Sequence, residues 1–172
     1  MDIFKEQIVE IKPTVKTTIM KILIYTVAIL FALGALFFSF IRPSLAMIAM
    51  LLGAGAIFLG YKFASKFNIE YEYINTNGEI DIDCIINKKD RQRMATFKCS
   101  DIEDLQKYNP NINKFSKANG RDVYFACSPD DNSFALKIKH PKKSYYTLVF
   151  APNEEFKESM RKFLPYILKN NI

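Results

Sequence analysis

Residues 22–61, ILIYTVAILFALGALFFSFIRPSLAMIAMLLGAGAIFLGY, decide the fold of this chain. Their one charged residue, Arg42, lies between an apolar run of twenty residues (22–41) and one of eighteen (44–61). As helices these runs would be about 30 and 27 Å long, close to the hydrocarbon thickness of a bilayer. They predict a transmembrane helical hairpin. A cleaved signal peptide fits poorly, because no small-residue cleavage site precedes a mature domain. A buried helix pair in a soluble protein would need a larger remaining chain.

Small residues recur at intervals of three and four along each predicted helix, so each set forms a stripe on one helical face. Such stripes let helix backbones approach closely in a membrane. We predict that the two stripes pack against each other inside the hairpin. The other possibility is that one stripe also serves a partner or a second copy. The stripe residues are Ala28, Ala32, Ala35 and Ser39 in the first helix and Ala46, Ala49, Gly53, Ala56 and Gly60 in the second.

The distribution of basic residues predicts the orientation of the hairpin. Four lysines precede the first span and two follow the second, whereas the connection holds only Arg42. The positive-inside rule therefore predicts a two-span cell-membrane protein with both termini in the cytoplasm. The net charge is +6, and residues 1–68 contribute +4 of it. This excess lies where anionic headgroups would be, which favours membrane electrostatics over nucleic acid as a partner.

The sequence predicts three parts. They are a basic, amphipathic N-terminal segment on the cytoplasmic side (1–21), the hairpin (22–61) and a cytoplasmic domain (69–172). Apolar side chains at helical spacing within residues 1–12 predict a short helix lying in the membrane interface.

The cytoplasmic domain begins with a predicted β-hairpin. Apolar and acidic residues alternate on both sides of Asn77-Gly78, a strong hairpin signal because both residues tolerate positive φ. The resulting register places Glu72 opposite Asp83 on the outer face, where like charges are unfavourable. We therefore predict a third strand whose Arg91 and Arg93 offset these carboxylates.

The rest of the domain reads as a short helix, a loop, three strands and a closing helix. Ser100-Asp-Ile-Glu103 has the capping-box pattern, which predicts the short helix. Asn153 is a suitable cap for the amphipathic closing helix, and Pro165 should kink its last turn. The third to sixth strands are predicted at 91–98, 122–128, 133–140 and 144–150, and the apolar face of the closing helix at Phe156, Met160, Phe163, Leu164 and Ile167.

Several segments resemble a known family. They are Tyr71–Gly78, the basic loop after the second strand, Phe97–Glu103, and the run from Tyr146 through Pro152 into the last helix. The domain resembles the bacterial pleckstrin-homology-like (PH-like) domains that are attached to two-span membrane hairpins. The resemblance implies a mainly-β domain, an antiparallel and partly open barrel of six or seven strands closed by a C-terminal α-helix. A seventh strand would have to lie within 112–117.

A basic run follows the second strand and contains Lys88, Lys89, Arg91 and Arg93. Near an anionic surface each such charge is worth about 1 kcal/mol, so the run is a candidate site for lipid headgroups or other anions. The alternative is a structural role. In that case the arginines neutralise the acidic outer face of the first β-hairpin, and the lysines form a solvated turn.

No catalytic, metal or cofactor site is predicted. Four carboxylates share the outer strand face, which is too flat to converge on a hard cation. The single histidine, His140, falls at a strand end, and Cys84, Cys99 and Cys127 fit reduced structural thiols. No glycine-rich phosphate loop, nucleophile elbow or zinc spacing occurs, so we expect a protein that is not an enzyme. The four carboxylates are Glu70, Glu72, Asp81 and Asp83.

Two functions are consistent with these observations. The first is a tethered module that presents a membrane-proximal PH-like domain to lipid headgroups, a peptide or a partner protein. The alternative is a structural or accessory subunit of a membrane complex that acts through its hairpin. The expected partners are the bilayer with its anionic lipids and a membrane protein or a second copy of the chain, and not nucleic acid.

Overall fold

The computed structural model describes residues 2–109, 122–128, 132–139 and 145–172. The chain forms two compact units. The hairpin unit comprises Lys12–Ile69 and Ile86–Lys89, and the sheet unit comprises Met1–Ile11, Glu70–Ile85 and Asp90–Ile172.

The hairpin unit consists of two long helices, α1 (Val15–Ile41) and α2 (Ala46–Ser65), joined by a 3-10 turn at Pro43–Leu45. The two predicted helices are confirmed, although α1 begins earlier and α2 ends later than the apolar runs. Both are long and apolar enough to cross a membrane. Only 11% and 17% of their most apolar windows are buried, which is unlike core helices of a soluble protein.

The predicted interfacial helix at the N-terminus is wrong, because Phe4–Glu10 forms strand β1. This strand pairs antiparallel with β2 (Ile69–Thr76), from Phe4 opposite Thr76 to Glu10 opposite Glu70. Its side chains alternate between half-buried and exposed, so the segment satisfies a period of two as well as the helical spacing. Long-range pairing decides between them. The helical hairpin is therefore inserted between two neighbouring strands of one sheet.

The first sheet continues through β3 (Glu79–Ile86) and β4 (Asp90–Lys98), in the order β1-β2-β3-β4. Asn77 and Gly78 form the predicted turn between β2 and β3, with φ angles of 52° and 87°. A Cβ atom on Gly78 would lie 2.6 Å from Cγ of Phe163. Glycine is thus required there by backbone conformation and by space.

The second sheet has the order β5-β7-β8-β6. Its strands are β5 (Ile102–Lys107), β6 (Asp122–Phe125), β7 (Phe134–Lys139) and β8 (Tyr145–Phe150). The last three confirm predicted strands, and β6 runs parallel to β8.

The short helix predicted after Ser100 is wrong. A 3-10 turn at Cys99–Asp101 leads directly into β5, which pairs with β7 and buries Ile102 and Leu105. Burial of these two side chains against β7 outweighs the local capping pattern. The described residues therefore form eight strands in two four-stranded sheets that are not a closed barrel. Strands β2 to β8 lie within the domain for which six or seven strands were predicted, and the parallel pair β6–β8 departs from the expected antiparallel arrangement. The strand considered at 112–117 lies outside the described residues.

The closing helix α3 (Glu154–Arg161) begins as predicted, with Asn153 Oδ1 accepting a hydrogen bond from Phe156 N at 2.8 Å. Phe156, Met160 and Leu164 are buried. Ile167, predicted for the same face, is exposed instead, because the chain resumes after Pro165 as a 3-10 turn that buries Leu168.

The core of the sheet unit centres on Tyr73. Its ring packs against Phe150 and Phe156, with centroids 5.6 and 5.9 Å away. Its hydroxyl donates to Ala126 O at 2.6 Å and accepts from Ala151 N at 3.3 Å, so this buried polar atom is satisfied.

Candidate functional site

The basic run after β3 is divided between the two units. Lys88 and Lys89 belong to the hairpin unit, whereas Arg91 and Arg93 belong to the sheet unit. The boundary falls between Lys89 and Asp90, so each unit contains two of the four predicted anion-binding residues.

The two arginines contact carboxylates of the first sheet. Arg91 Nη2 lies 2.9 Å from Glu72 Oε1, and Arg93 forms ion pairs with Asp83 and Asp81. The side chains of Glu72 and Asp83 are only 3% exposed. The hydrogen bond with Asp83 raises the pKa of Arg93. The predicted neutralisation of the acidic face by the arginines is confirmed.

The two lysines lie in a tight turn between β3 and β4. Asn87 and Lys88 adopt left-handed conformations with φ of 53° and 57°, and Lys89 N donates to Ile86 O at 3.2 Å. A left-handed lysine is unusual, because its Cβ atom disfavours this region. Both lysines are exposed to solvent.

This turn is attached to the end of the helical hairpin. Asn87 N donates to Asn68 O at 2.7 Å, and Lys21 Nζ of α1 donates to Asn68 Oδ1 at 2.7 Å. Sequence reasoning missed both asparagines. The signal was present in the predicted register, because one further step along β2 and β3 places Asn68 opposite Asn87.

Charge is distributed unevenly between the units. The hairpin unit has eight Lys or Arg residues and no Asp or Glu, whereas the sheet unit has sixteen basic residues and all eighteen acidic ones. Apart from Arg42, the basic residues of the hairpin unit lie near the start of α1, near the end of α2 or in the β3–β4 turn. We call them the basic end: Lys12, Lys16, Lys21, Lys62, Lys66, Lys88 and Lys89.

The small-residue stripes meet inside the hairpin. A Cβ atom on Gly60 would lie 2.8 Å from Cβ of Ala28, and one on Gly53 would lie 3.3 Å from Cβ of Ala35. Of the other stripe residues, Ser39 and Ala49 are buried, and Ala32, Ala46 and Ala56 are half-buried.

The remaining candidates offer no visible chemistry. Cys99 and Cys127 are buried free thiols, and burial raises the pKa of Cys99 to about 12. Cys84 is half-buried, and burial raises its pKa. Among the described residues, no three His, Cys, Asp or Glu side chains are placed to hold a metal ion. His140 lies outside them.

Comparison with known families is decisive for the classification. The model of the family described as "Bacterial PH-like domain (DUF6106)" matches residues 1–170. The chain belongs to this PH-like family. The match covers β1, the helical hairpin and both sheets, so the resemblance noted in the sequence is confirmed. No curated protein and no solved structure matches the chain.

In this PH-like protein, the basic end groups seven lysines within one unit. Lysine ammonium groups are compact point charges with three donors each, which suits phosphate oxygens. The hairpin unit contains no carboxylate that would compete for these lysines from within the unit.

Proposed function

We propose that this protein is a non-enzymatic, two-span membrane protein whose basic end binds anionic lipid headgroups on the cytoplasmic side. One observation carries the proposal. The β3–β4 turn with Lys88 and Lys89 is hydrogen-bonded to the chain that leaves α2, in a unit with eight basic and no acidic residues.

The connectivity of the chain supports the topology. β1 leads into α1, α2 leads into β2, and β1 and β2 are neighbours in one sheet. Two spans connected in this way must begin and end on the same side of the membrane. The positive-inside rule then assigns that side to the cytoplasm, because all seven lysines of the hairpin unit lie at its open end and only Arg42 lies in the turn between helices.

The ion pairs of the first sheet indicate which basic residues contact the lipid headgroup. Arg91 and Arg93 are engaged with carboxylates, so removing either would leave a buried charge uncompensated. Headgroup contact is assigned to Lys88 and Lys89, together with Lys62 and Lys66 at the end of α2, because all four lie in the unit that contains no Asp or Glu.

The test measures lipid selectivity of the full-length protein in neutral detergent. Fluorescent phosphatidylglycerol and phosphatidylcholine are titrated into wild type, the double variant Lys88→Gln/Lys89→Gln, and the control Lys107→Gln/Lys162→Gln, which alters exposed lysines of the sheet unit. We expect wild type to prefer the anionic lipid, and the first variant to lose about tenfold of that preference. Salt should weaken the preference. Equal binding of both lipids by wild type, or an equal loss in the control, would contradict the proposal.

The alternative role as an accessory subunit requires a different surface of the hairpin. The small-residue stripes already pack on each other, so a partner helix would have to use outward positions such as Gly34 and Gly55, which have nothing within 4 Å. Leucine at either glycine would then disrupt a complex without altering lipid selectivity.

A further inference from the structure

The outer face of the first sheet exposes apolar side chains on β1. Phe4 is 63% and Ile8 55% exposed. These residues alternate with Glu6 and Glu10 along the same face of the strand. A partner that covered these two side chains would remove apolar surface from water, which favours association.

Carboxylates surround these apolar side chains. The register places Ile8 opposite Glu72 and Glu10 opposite Glu70, and Glu6 lies diagonal to Glu72. Asp81 and Asp83 of β3 continue the acidic surface toward their ion pairs with Arg93. Acidic residues thus outnumber the two arginines on this side of the sheet, and an anionic membrane surface would be repelled from it.

Glu72 lacks one hydrogen bond. Its Oε1 atom accepts from Arg91 Nη2 at 2.9 Å. Its Oε2 atom is buried and has no hydrogen-bond donor among the described residues. A buried oxygen of this kind destabilises the fold when it is unpaired. A donor supplied from outside the chain would remove that cost.

We propose that Phe4, Glu6, Ile8, Glu10 and Glu72, which we call the acidic face, bind a basic amphipathic segment of a partner protein. Apolar side chains of that segment would cover Phe4 and Ile8. A lysine or arginine would lie between Glu6 and Glu72 and donate to Glu72 Oε2. Charge complementarity selects this partner, because the sheet unit has a net charge of −2 and its outer face is the acidic part.

Binding of this kind is linked to proton release. Burial raises the pKa of Glu72 most, and a hydrogen bond with the Glu6 carboxyl of β1, which forms when one of the two carboxyls is protonated, raises it further. Arg91 of β4 lowers this pKa, and Asp83 of β3 raises it. The bound cation favours the ionised form of Glu72 and so competes with the proton. Affinity should therefore increase as the pH rises from acidic to neutral values and then level off.

The test uses the full-length protein in neutral detergent and a fluorescent peptide of alternating lysine and leucine. A peptide of alternating glutamate and leucine is the control probe. We expect only the lysine peptide to bind, more tightly at neutral than at acidic pH. Glu6→Gln and Ile8→Ser, which alter exposed residues, should each weaken binding by about tenfold. Glu158→Gln, at an exposed position on α3, should bind like wild type.

Three outcomes would overturn the proposal. They are equal binding of both peptides, affinity unaffected by both Glu6→Gln and Ile8→Ser, and self-association that these variants abolish, which would make the face an interface between copies. Thermal unfolding of each variant shows whether it is folded. Glu6→Gln removes a charge and Ile8→Ser removes an apolar side chain, so the two variants test the proposal separately. Lipid selectivity is measured on the same samples, so failure here is distinguishable from failure of the headgroup proposal.

Discussion

The sheet unit contains both basic and acidic residues and pairs its arginines with its own carboxylates, whereas the hairpin unit contains only basic residues and groups its lysines near one end. Arg91 and Arg93 contact buried carboxylates in the sheet unit. The hairpin unit has no acidic residue with which its lysines could pair. The boundary between the units falls inside the basic run, between Lys89 and Asp90.

Apolar side chains follow the same division. The sheet unit buries its large side chains around Tyr73, whereas large apolar side chains on both helices of the hairpin unit are exposed along their whole length. Such a surface would aggregate in water but is compatible with hydrocarbon. The difference teaches that two parts of one sequence can present surfaces suited to different environments. A basic run cannot be assigned one role until each of its residues is assigned to a unit.

The largest expected effect comes from separating β1 from the sheet unit. Residues 69–172 alone lack β1, and with it the Lys5–Glu155 ion pair and the hydrogen bond from Gln7 Nε2 to Ala151 O. The matched version joins residues 2–11 to residues 69–172 through a short Asn-Gly turn. We expect cooperative thermal unfolding, followed by circular dichroism, only when β1 is present. Identical unfolding of the two versions would show that β1 is dispensable and would weaken the division into units.

A smaller effect on stability is expected within the hairpin unit, whose two helices are held together by close backbone approach rather than by ion pairs. Gly60→Leu would force a side chain into Ala28 and should destabilise the helix pair by about 1–3 kcal/mol. Gly55→Leu, at a position with nothing within 4 Å, is the matched control and should be nearly neutral. Unfolding in mixed detergent micelles measures both. Equal destabilisation would mean that the stripes do not hold the hairpin together.

Signals that act over short distances could be read from the sequence. The apolar runs predicted α1 and α2, and Asn77-Gly78 predicted the β2–β3 turn. The register of that turn then predicted that Arg91 and Arg93 offset Glu72 and Asp83, because a repulsion on a strand face requires a neighbouring cation. The structure shows which arginine contacts which carboxylate.

Elements fixed by remote partners could not be read in this way. In the sequence, β1 and its partner β2 are separated by the whole helical hairpin, and β5 and its partner β7 are separated by a long connection. In both cases a locally plausible helix pattern lost to a distant strand. The acidic face was missed for the same reason, because Glu6 and Ile8 approach Glu72 only after β1 joins the sheet.

The smallest expected effect concerns Glu72, a buried carboxylate of the kind that only the sheet unit contains. The pKa of Glu72 is raised from its ordinary value of 4.5, first by burial. The folded state therefore binds the proton more tightly than the unfolded chain, and this contribution to stability is present below 4.5 and is lost as the pH rises through the raised value. Glu72→Gln removes the titration. The free energy of unfolding of the variant, relative to wild type, should increase from acidic to neutral pH.

Glu154→Gln is the control for this prediction, because the pKa of Glu154 is shifted in the opposite direction from that of Glu72. Lys157 lowers the pKa of Glu154 through a hydrogen bond, so the folded state releases this proton more readily than the unfolded chain. The stability that Glu154 contributes is present at pH values above its pKa in the unfolded chain, and it is lost as the pH falls through the lowered pKa of the folded state. Relative to wild type, Glu154→Gln should therefore become less stable as the pH rises, and urea titrations at several pH values measure both variants. If the two variants showed the same slope, burial of Glu72 would not govern its titration, and the proton linkage inferred for the acidic face would lose its basis.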